Sequence, residues 1–431
     1  MNFPRSLLIA ALIVFSGFGL FAQSPAAVVQ APDADTARLR LEAFNKVWST
    51  VNDNHYDPTF GGVDWKKVRE DYLPKGIAAK TEADFNGVLR QMLGELKLSH
   101  FGIFPKNLAA MAAGNAGIGV ELKMIDGRPT VTRVEQGSTA EAAGVTVGAH
   151  IRKVGRADVK DLLKPLEASF AQRSLNDRIK MLYRQRTIEA LLSGPAESKV
   201  TLELVDGKDQ ARVLEIARKP YAGEMSQPMG YFPAQQVVFE SKRLTGDIGY
   251  VRFNMWVVPQ MAKIRAAMRS FADAKGIIID LRGNPGGVGG LATGVAGLIV
   301  DKQASLGRMT MRNGAVDFIV FPQDSPFLGP VAVLTDYGSA STSEVFAAGM
   351  QETGRAKIVG GTTAGAVLPS VFVTLPTGAI FQYVVADYRS PKNVLVEGRG
   401  VTPDISVEPD SKSILSGRDT QLEAAIKAIT K

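Results

Sequence analysis

The sequence contains no cysteine, which excludes disulfides, thiolate zinc sites and cysteine nucleophiles together. Histidine is almost as scarce: His55, His100 and His150 are the 3 in the chain, so a mechanism that needs an imidazole must choose among them. Blocks of like charge are also missing. The 50 Lys plus Arg and 43 Asp plus Glu leave a formal net charge of +7, spread too thinly to point to nucleic acid. No G-x-x-x-x-G-K-[ST] segment occurs, and no internal repeat. What remains is an ordinary globular mixture, 45% hydrophobic and 22% charged, in 431 residues. That composition excludes a disordered, coiled-coil or collagen-like chain, and the length calls for two or three units.

The one long apolar run is at the N-terminus. Residues 1–22 carry a single positive charge, Arg5, then an uncharged stretch from Leu7 to Ala22, followed by polar Gln23-Ser24-Pro25. This is the pattern of a secretory signal peptide with cleavage after Ala22. The run is short for a membrane span, which wants about 20 apolar residues, and an uncleaved anchor is the alternative. No cysteine follows it to take a lipid. The expectation is an exported protein, periplasmic or extracellular, whose one link to a membrane would be an uncleaved signal.

Beyond the leader, Leu41, Phe44, Trp48 and Val51, and again Phe85, Val88, Leu89, Met92, Leu93 and Leu96, recur at helical spacing. From Gly117 short β-rich runs alternate with glycine turns, with a hairpin expected at Asp126-Gly127 and a short helix at Ala140–Ala143. A helical stretch, Asp161–Leu192, follows, then strands Lys199–Val205 and Ala211–Ala217 joined through Asp206-Gly207. That helical stretch is basic (Arg173, Arg178, Lys180, Arg184, Arg186) and reads as a solvated face. After Tyr231, continuous apolar runs such as Ile277–Ile279 and Val331–Leu334 precede glycine-containing loops and helices. Strands buried on both faces look like this, so an α/β core is expected, with chemistry at the loops leaving the strands' carboxyl ends. Ser370–Leu375 and Ala379–Ala386 read as a hairpin around Pro376-Thr377-Gly378, and Thr420–Thr430 as a closing amphipathic helix.

Two loops stand out. Gly338-Ser339-Ala340-Ser341-Thr342-Ser343-Glu344 lies between a buried strand and a helix. A serine there sits beside free backbone N–H groups and the positive end of a helix dipole, features that stabilise an oxyanion in acyl transfer. The same residues also suit plain helix capping by Thr342 or Ser343. The segment is no G-x-S-x-G elbow. The second loop is Asp280-Leu281-Arg282-Gly283-Asn284-Pro285-Gly286-Gly287, whose glycines allow close backbone approach and can aim N–H donors. Gly287-Val288-Gly289-Gly290-Leu291-Ala292 matches a dinucleotide pattern but begins past Pro285, and Asp301 follows too soon for a helix and a second strand. A serine nucleophile needs a base, but each histidine taken locally reads more readily as a structural residue than as a catalytic one.

The order of these parts resembles the S41 family of serine peptidases: the carboxyl-terminal processing, or tail-specific, proteases and their tricorn-core relatives. The resemblance rests on the export signal, the helical cap, the D-L-R-x-N-P-G-G loop, the S-A-S-x-S-E segment and a terminal Glu397-Gly398-Arg399-Gly400-Val401-Thr402-Pro403-Asp404. It also rests on a PDZ-like pairing of Gly117-Ile118-Gly119-Val120 with Gly137-Ser138-Thr139-Ala140-Glu141-Ala142-Ala143-Gly144-Val145. It implies a mixed-sheet α/β core of the ClpP/crotonase-like kind at 230–415 and a helical domain at 33–112. A PDZ-like domain with a helical insertion would span 115–219, and a C-terminal helix 418–431. It implies a nucleophile at Ser341, oxyanion donors at Gly286 or Gly287 and Thr342, and a groove at Gly117, Ile118, Gly119 and Val120 for a peptide C-terminus, held by strand addition. The implied partner is a protein or peptide substrate, with no metal or organic cofactor.

One departure bears on mechanism. Processing proteases carry a base lysine in a G-x-x-T-x-G-K segment, whereas this chain reads Gly360-Gly361-Thr362-Thr363-Ala364-Gly365-Ala366. The tricorn-like branch uses a Ser-His pair and a glutamate near the terminal motif, to which Ser99, His100 and Glu397 correspond. The resemblance thus implies His100 as the base for Ser341, supported by Ser99 and Glu397. Glu344 is the other nearby carboxylate and complements the helix dipole. Three rivals stand beside this reading: an inactive PDZ scaffold that kept the fold, recruitment of Lys357 or Lys392 as base, and a crotonase-like acyl hydrolase, which the PDZ-like unit argues against.

Overall fold

The computed structural model describes residues 10–12, 34–106, 116–170, 175–228, 231 and 234–430. Three helices come first: α1 (Ala34–Asn54), α2 (Trp65–Ile77) and α3 (Glu82–Gly94). Asp64 caps α2 through the Lys66 and Lys67 amides, and Thr81 and Asp84 form a reciprocal capping box on α3. Phe44, Val47 and Val51 bury against Trp65, Phe85, Leu89 and Met92. Leu41, expected on this stripe, stays exposed, and Ala43 and Val47 take the inner face instead. After α3 the chain turns through Ser99-His100 into β1 (Gly102–Phe104), which pairs antiparallel with Ile380–Val384 of the core.

A β-rich unit follows: β2 (Val120–Ile125), β3 (Arg128–Val134), β4 (His150–Val154), β5 (Lys199–Val205) and β6 (Ala211–Ala217) form one sheet in that order. Asp126 and Gly127 both adopt positive φ, 49° and 73°, and close the two-residue hairpin that Asp-Gly favours. The helical stretch resolves into α4 (Val159–Phe170) and α5 (Asp177–Leu192), the second capped by Asn176. Arg173 lies outside the described residues. Ile188 and Leu192 of α5 share a core with Ile118, Leu122 and Leu166, so α5 packs beside β2.

The largest layer is a sheet built from β7 (Phe239–Leu244), β8 (Ile248–Phe253), β9 (Gly276–Asp280), β10 (Val331–Thr335), β11 (Lys357–Gly360) and a final short strand, Ile405–Ser406. β7 is antiparallel to β8 and the rest run parallel. Alternate residues bury on opposite faces. Tyr250, Ile278, Leu334 and Val359 meet the closing helix Thr420–Thr430. Val251, Ile277, Ile279 and Val333 meet the helices of the other side. The loops leaving the carboxyl ends of β9, β10 and β11 therefore converge where β1 delivers His100. Among residues 1–22 the described part is a short strand, Ala10–Leu12, paired antiparallel with Gly286–Val288; the remainder of the expected signal peptide lies outside the described residues. No helix among the described residues is long and apolar enough to cross a membrane.

Candidate active site

β10 ends at Thr335 and the helix Thr342–Glu352 begins seven positions on, so Ser341 occupies a sharp strand-to-helix turn. It is fully buried, with φ 56° and ψ −119°. Non-glycine residues held this way store roughly 1–3 kcal/mol, strain that proteins keep at functional sites. The conformation is imposed from two sides. The Ser341 N–H donates to Ala366 O at 2.9 Å and to Glu344 Oε2 at 3.1 Å. Glu344, itself buried, gathers the rest of the turn: its Oε1 accepts from Thr363 Oγ1 (2.5 Å) and Gly365 N–H (2.7 Å), its Oε2 from Ala366 N–H (2.9 Å). Burial pushes its carboxyl up against the pull of those donors. With its oxygens so engaged, Glu344 ties two loops together, a task that dipole complementation alone does not convey. The sequence held one signal of it, the S/T-x-x-E capping pattern of Ser341 and Glu344.

The loop after β9 closes over this turn. Asn284 is fully buried; its carbonyl accepts from Ala340 N–H and Ser343 Oγ, both at 3.0 Å, and its side chain from Gly286 N–H, also at 3.0 Å. A Cβ on Gly286 would lie 2.6 Å from Ser341 Cβ and 3.0 Å from Thr342 N, so only glycine brings the backbone this close. Gly286 O and Val288 N–H both bond to Trp256, at 2.9 and 2.8 Å. By strand alternation Gly287 presents its N–H and O to the opposite edge, where Thr342 Oγ1 donates to Gly287 O. Of the two glycines expected to supply an oxyanion donor, Gly286 has its N–H engaged by Asn284, and Gly287 faces the edge along which Ala10–Leu12 pairs. Thr342 N–H, in the first turn of its helix, has no intrahelical acceptor.

His100 enters from the helical cap with φ 59°, another left-handed non-glycine residue. Its Nδ1 lies 2.6 Å from Ser99 Oγ. Ser99 in turn gives its N–H to Glu397 Oε1 (2.7 Å) and its hydroxyl to Glu397 Oε2 (3.0 Å), and Val367 N–H donates to the same Oε2 at 3.0 Å. The serine has one hydroxyl proton, and it goes to the carboxylate. Nδ1 is therefore the protonated ring nitrogen, and Nε2 carries the lone pair. Nε2 is buried and has no hydrogen-bond partner among the described residues. Burial lowers the ring to about 3, so the imidazole is neutral at physiological pH, and burial raises the Glu397 carboxyl to about 7. Of the other histidines, His55 stacks on Tyr56 and Phe101, and His150 is half-buried at the start of β4.

At the end of the Gly360–Ala366 segment, Ala366 is buried against Ala340, Ala364 and Ile179 of α5. Lys357 and Lys392 are exposed. The Gly117–Val120 loop gives its carbonyls to its own unit: Ile118 O accepts from Ala140 N–H and Gly119 O from Glu135 N–H. The basic helix departs from a solvated face. Arg184 does pair with Glu167 at the surface, but Arg178 reaches core carbonyls and Arg186 points to Gly283 O. Those partners are backbone groups of distant loops, which leave no mark in the helix's own sequence.

Comparisons with known proteins agree with this geometry. The profile of peptidase family S41 matches residues 247–407, and that of the tricorn protease C1 domain matches residues 37–94. The chain is 27% identical over 389 residues to the chloroplastic C-terminal processing peptidase of Tetradesmus obliquus, covering 85% of this chain and 77% of that one. It is 23% identical over 401 residues to the carboxy-terminal processing protease CtpA of Bacillus subtilis, covering 92% and 76%. Among solved structures, the photosystem II D1 C-terminal processing protease superposes with a TM-score of 0.58 at 25% identity, covering 91% of this chain and 97% of that one. Mature CPAF, at 15% identity, shares the fold with a TM-score of 0.64 over 91% and 98%. With a mixed-sheet core, a strained serine turn and both profiles in place, residues 247–407 match peptidase family S41, and the chain is a serine-type peptidase.

Proposed function

We propose that the protein is an exported endopeptidase that cleaves peptide bonds through an acyl-enzyme at Ser341, with His100 as general base. The observation that carries this is the Glu397–Ser99–His100 chain, which leaves a buried, neutral Nε2 with its lone pair uncommitted. In the first step Nε2 takes the Ser341 hydroxyl proton as Oγ attacks the scissile carbonyl. The Thr342 N–H receives the oxyanion, joined by that of Gly287 once cleavage of the signal removes the strand Ala10–Leu12 from its edge. His100 then gives its proton to the leaving amine, and water repeats the sequence on the ester. Ser99 and Glu397 hold the ring in the tautomer that accepts at Nε2. The β-rich unit within 115–219 is read as PDZ-like, taking a substrate's C-terminus at Gly117–Val120, which would direct cleavage toward protein C-termini. Export rests on the apolar residues 7–22.

The test is labelling of the pure protein with a fluorophosphonate. Modification of Ser341, abolished in His100→Ala, supports the assignment. A folded protein that neither labels nor hydrolyses peptides sinks it in favour of a binding scaffold. Activity that survives His100→Ala but vanishes with Lys357 or Lys392 replaced would move the base to a lysine.

A further inference from the structure

We infer that Asn176 and Arg178, at the start of α5, are positioning residues of the peptidase reaction: they fasten the loop that shapes the nucleophile to the loop that carries the carboxylate behind the base. The inference rests on the assignment of Ser341 and His100 made above. Asn176 caps α5 with Oδ1, which accepts from Ile179 N–H at 2.9 Å, while its Nδ2 donates to Ala364 O (3.0 Å) and Gly398 O (3.2 Å). Arg178 donates through Nε to Thr363 O (2.7 Å) and through one terminal nitrogen to Gly398 O (3.2 Å) and Arg399 O (2.8 Å).

Both side chains therefore span the same two loops. The first loop supplies Ala366 O to the Ser341 N–H, and the Thr363, Gly365 and Ala366 donors to Glu344. The second begins at Glu397, which sets the Ser99–His100 pair. The loops touch directly as well, Gly398 N–H donating to Gly365 O at 2.8 Å. Ile179, the next residue of the helix, packs on Ala340, Ala364 and Ala366 and fills the volume beside the nucleophile turn. The base arrives from the helical cap, so its distance from Ser341 depends on how loops 363–366 and 397–399 are held to each other. A guanidinium suits the task because its fork reaches carbonyls of two loops at once, which an ammonium on a flexible stem does not reproduce. Misplacement of about 1 Å costs on the order of 100-fold in rate.

The experiment uses the full chain and measures kcat and KM on a peptide substrate, together with the fluorophosphonate labelling rate at Ser341. Arg178→Ala should lower kcat and the labelling rate by about 10–100-fold while KM stays within about threefold, and Arg178→Lys should recover only part of the loss. Arg184→Ala, on the same helix but paired with Glu167 at the surface, should leave all three within about twofold. Should Arg178→Ala fail to fold, Asn176→Ser keeps a capping hydroxyl, removes the amide donor and is expected to show the same kcat-selective loss. Wild-type kcat and labelling in these variants, or a loss confined to KM, overturns the positioning role. A His100→Ala protein that labels normally overturns the assignment of the base, and the positioning role with it.

Discussion

His100 and Glu397 are shifted in opposite directions by the same cause, burial, and the opposition decides which of them a pH profile reports. The ring, held at about 3, stays neutral across the working range. Glu397, raised to about 7, is the group that titrates there. Ionised, it accepts the Ser99 hydroxyl and leaves Nε2 as the acceptor; protonated, it no longer fixes that direction. Activity as kcat/KM should fall as pH drops through about 7. Glu397→Gln should lower the plateau by about 10–100-fold and abolish that limb. A limb unmoved in Glu397→Gln would assign the titration to another group. Stability carries the complementary signature. The unfolded chain protonates this histidine at 6.5, which the fold refuses until about 3, so stability rises with pH across that window and is lost as pH falls through it. Glu397 acts the other way between 4.5 and about 7, where the fold holds a proton that the unfolded chain releases. The two offset each other where the windows overlap, and below 4.5 the histidine acts alone. Urea titrations of wild type and His100→Asn should therefore differ in slope there, wild type losing about 2 kcal/mol more between pH 4.5 and 3. Parallel curves would mean that the ring is not held neutral. That Glu397 would meet Ser99-His100, and that Ser341 would sit on a strand-to-helix turn, was legible through motif order, because each lies in a distinctive local string. Choosing His100 over His55 and His150 needed the family resemblance, since nothing in its neighbours separates a base from a packed ring.

At the scale of elements, local rules carried far. The Asp126-Gly127 hairpin, the strands Lys199–Val205 and Ala211–Ala217, and the helix Thr420–Thr430 form where their turn residues and periodicity place them. Each is specified by residues within a few positions. Glu344 and Arg178 were misjudged for the converse reason: their partners lie on the 363–366 and 397–399 loops, and most are backbone groups. Two substitutions probe the turn that Glu344 organises. Glu344→Gln presents an amide to N–H groups where a carboxylate accepted them, and should cost about 2–4 kcal/mol in chemical denaturation along with most of the Ser341 labelling. Gly286→Ala places a Cβ 2.6 Å from Ser341 Cβ at a φ of 100° and should depress labelling by about 100-fold. Gly283→Ala, on the same loop with φ 71° but open space around it, should cost about 1 kcal/mol and leave labelling near wild type. Equal damage from the two alanines would show that backbone strain, and not the close approach to the nucleophile, is what position 286 requires.

For the whole molecule, the apolar runs of β8, β9 and β10 announced a sheet buried on both faces, and the sheet has that form. How the β-rich unit docks on it was not legible, because β2 alternates Glu121 and Lys123 as any solvated strand edge does. In the fold both reach the core. Glu121 pairs with Arg252 through two hydrogen bonds, at 2.9 and 2.7 Å, and Lys123 pairs with Asp336. Asp336 is buried, begins the loop that leads to Ser341, and accepts from Gly283 N–H (2.8 Å) and Gly338 N–H (2.9 Å), so it joins that loop to the 280–287 loop beneath the docking strand. The lysine holds its carboxyl below the ordinary range against the upward push of burial. Removing one partner of such a pair leaves a buried charge uncompensated, at a cost of about 3–5 kcal/mol, whereas removing both charges is close to neutral. Lys123→Met alone should therefore destabilise the protein by that amount. Lys123→Met combined with Asp336→Asn, which keeps Oδ1 as acceptor for both glycine amides, should recover most of it. The double-mutant cycle measures the difference directly. Losses that simply add would mean that Asp336 is stabilised by its amide donors alone, and that the β-rich unit grips these loops elsewhere, through Arg252 and the start of α5.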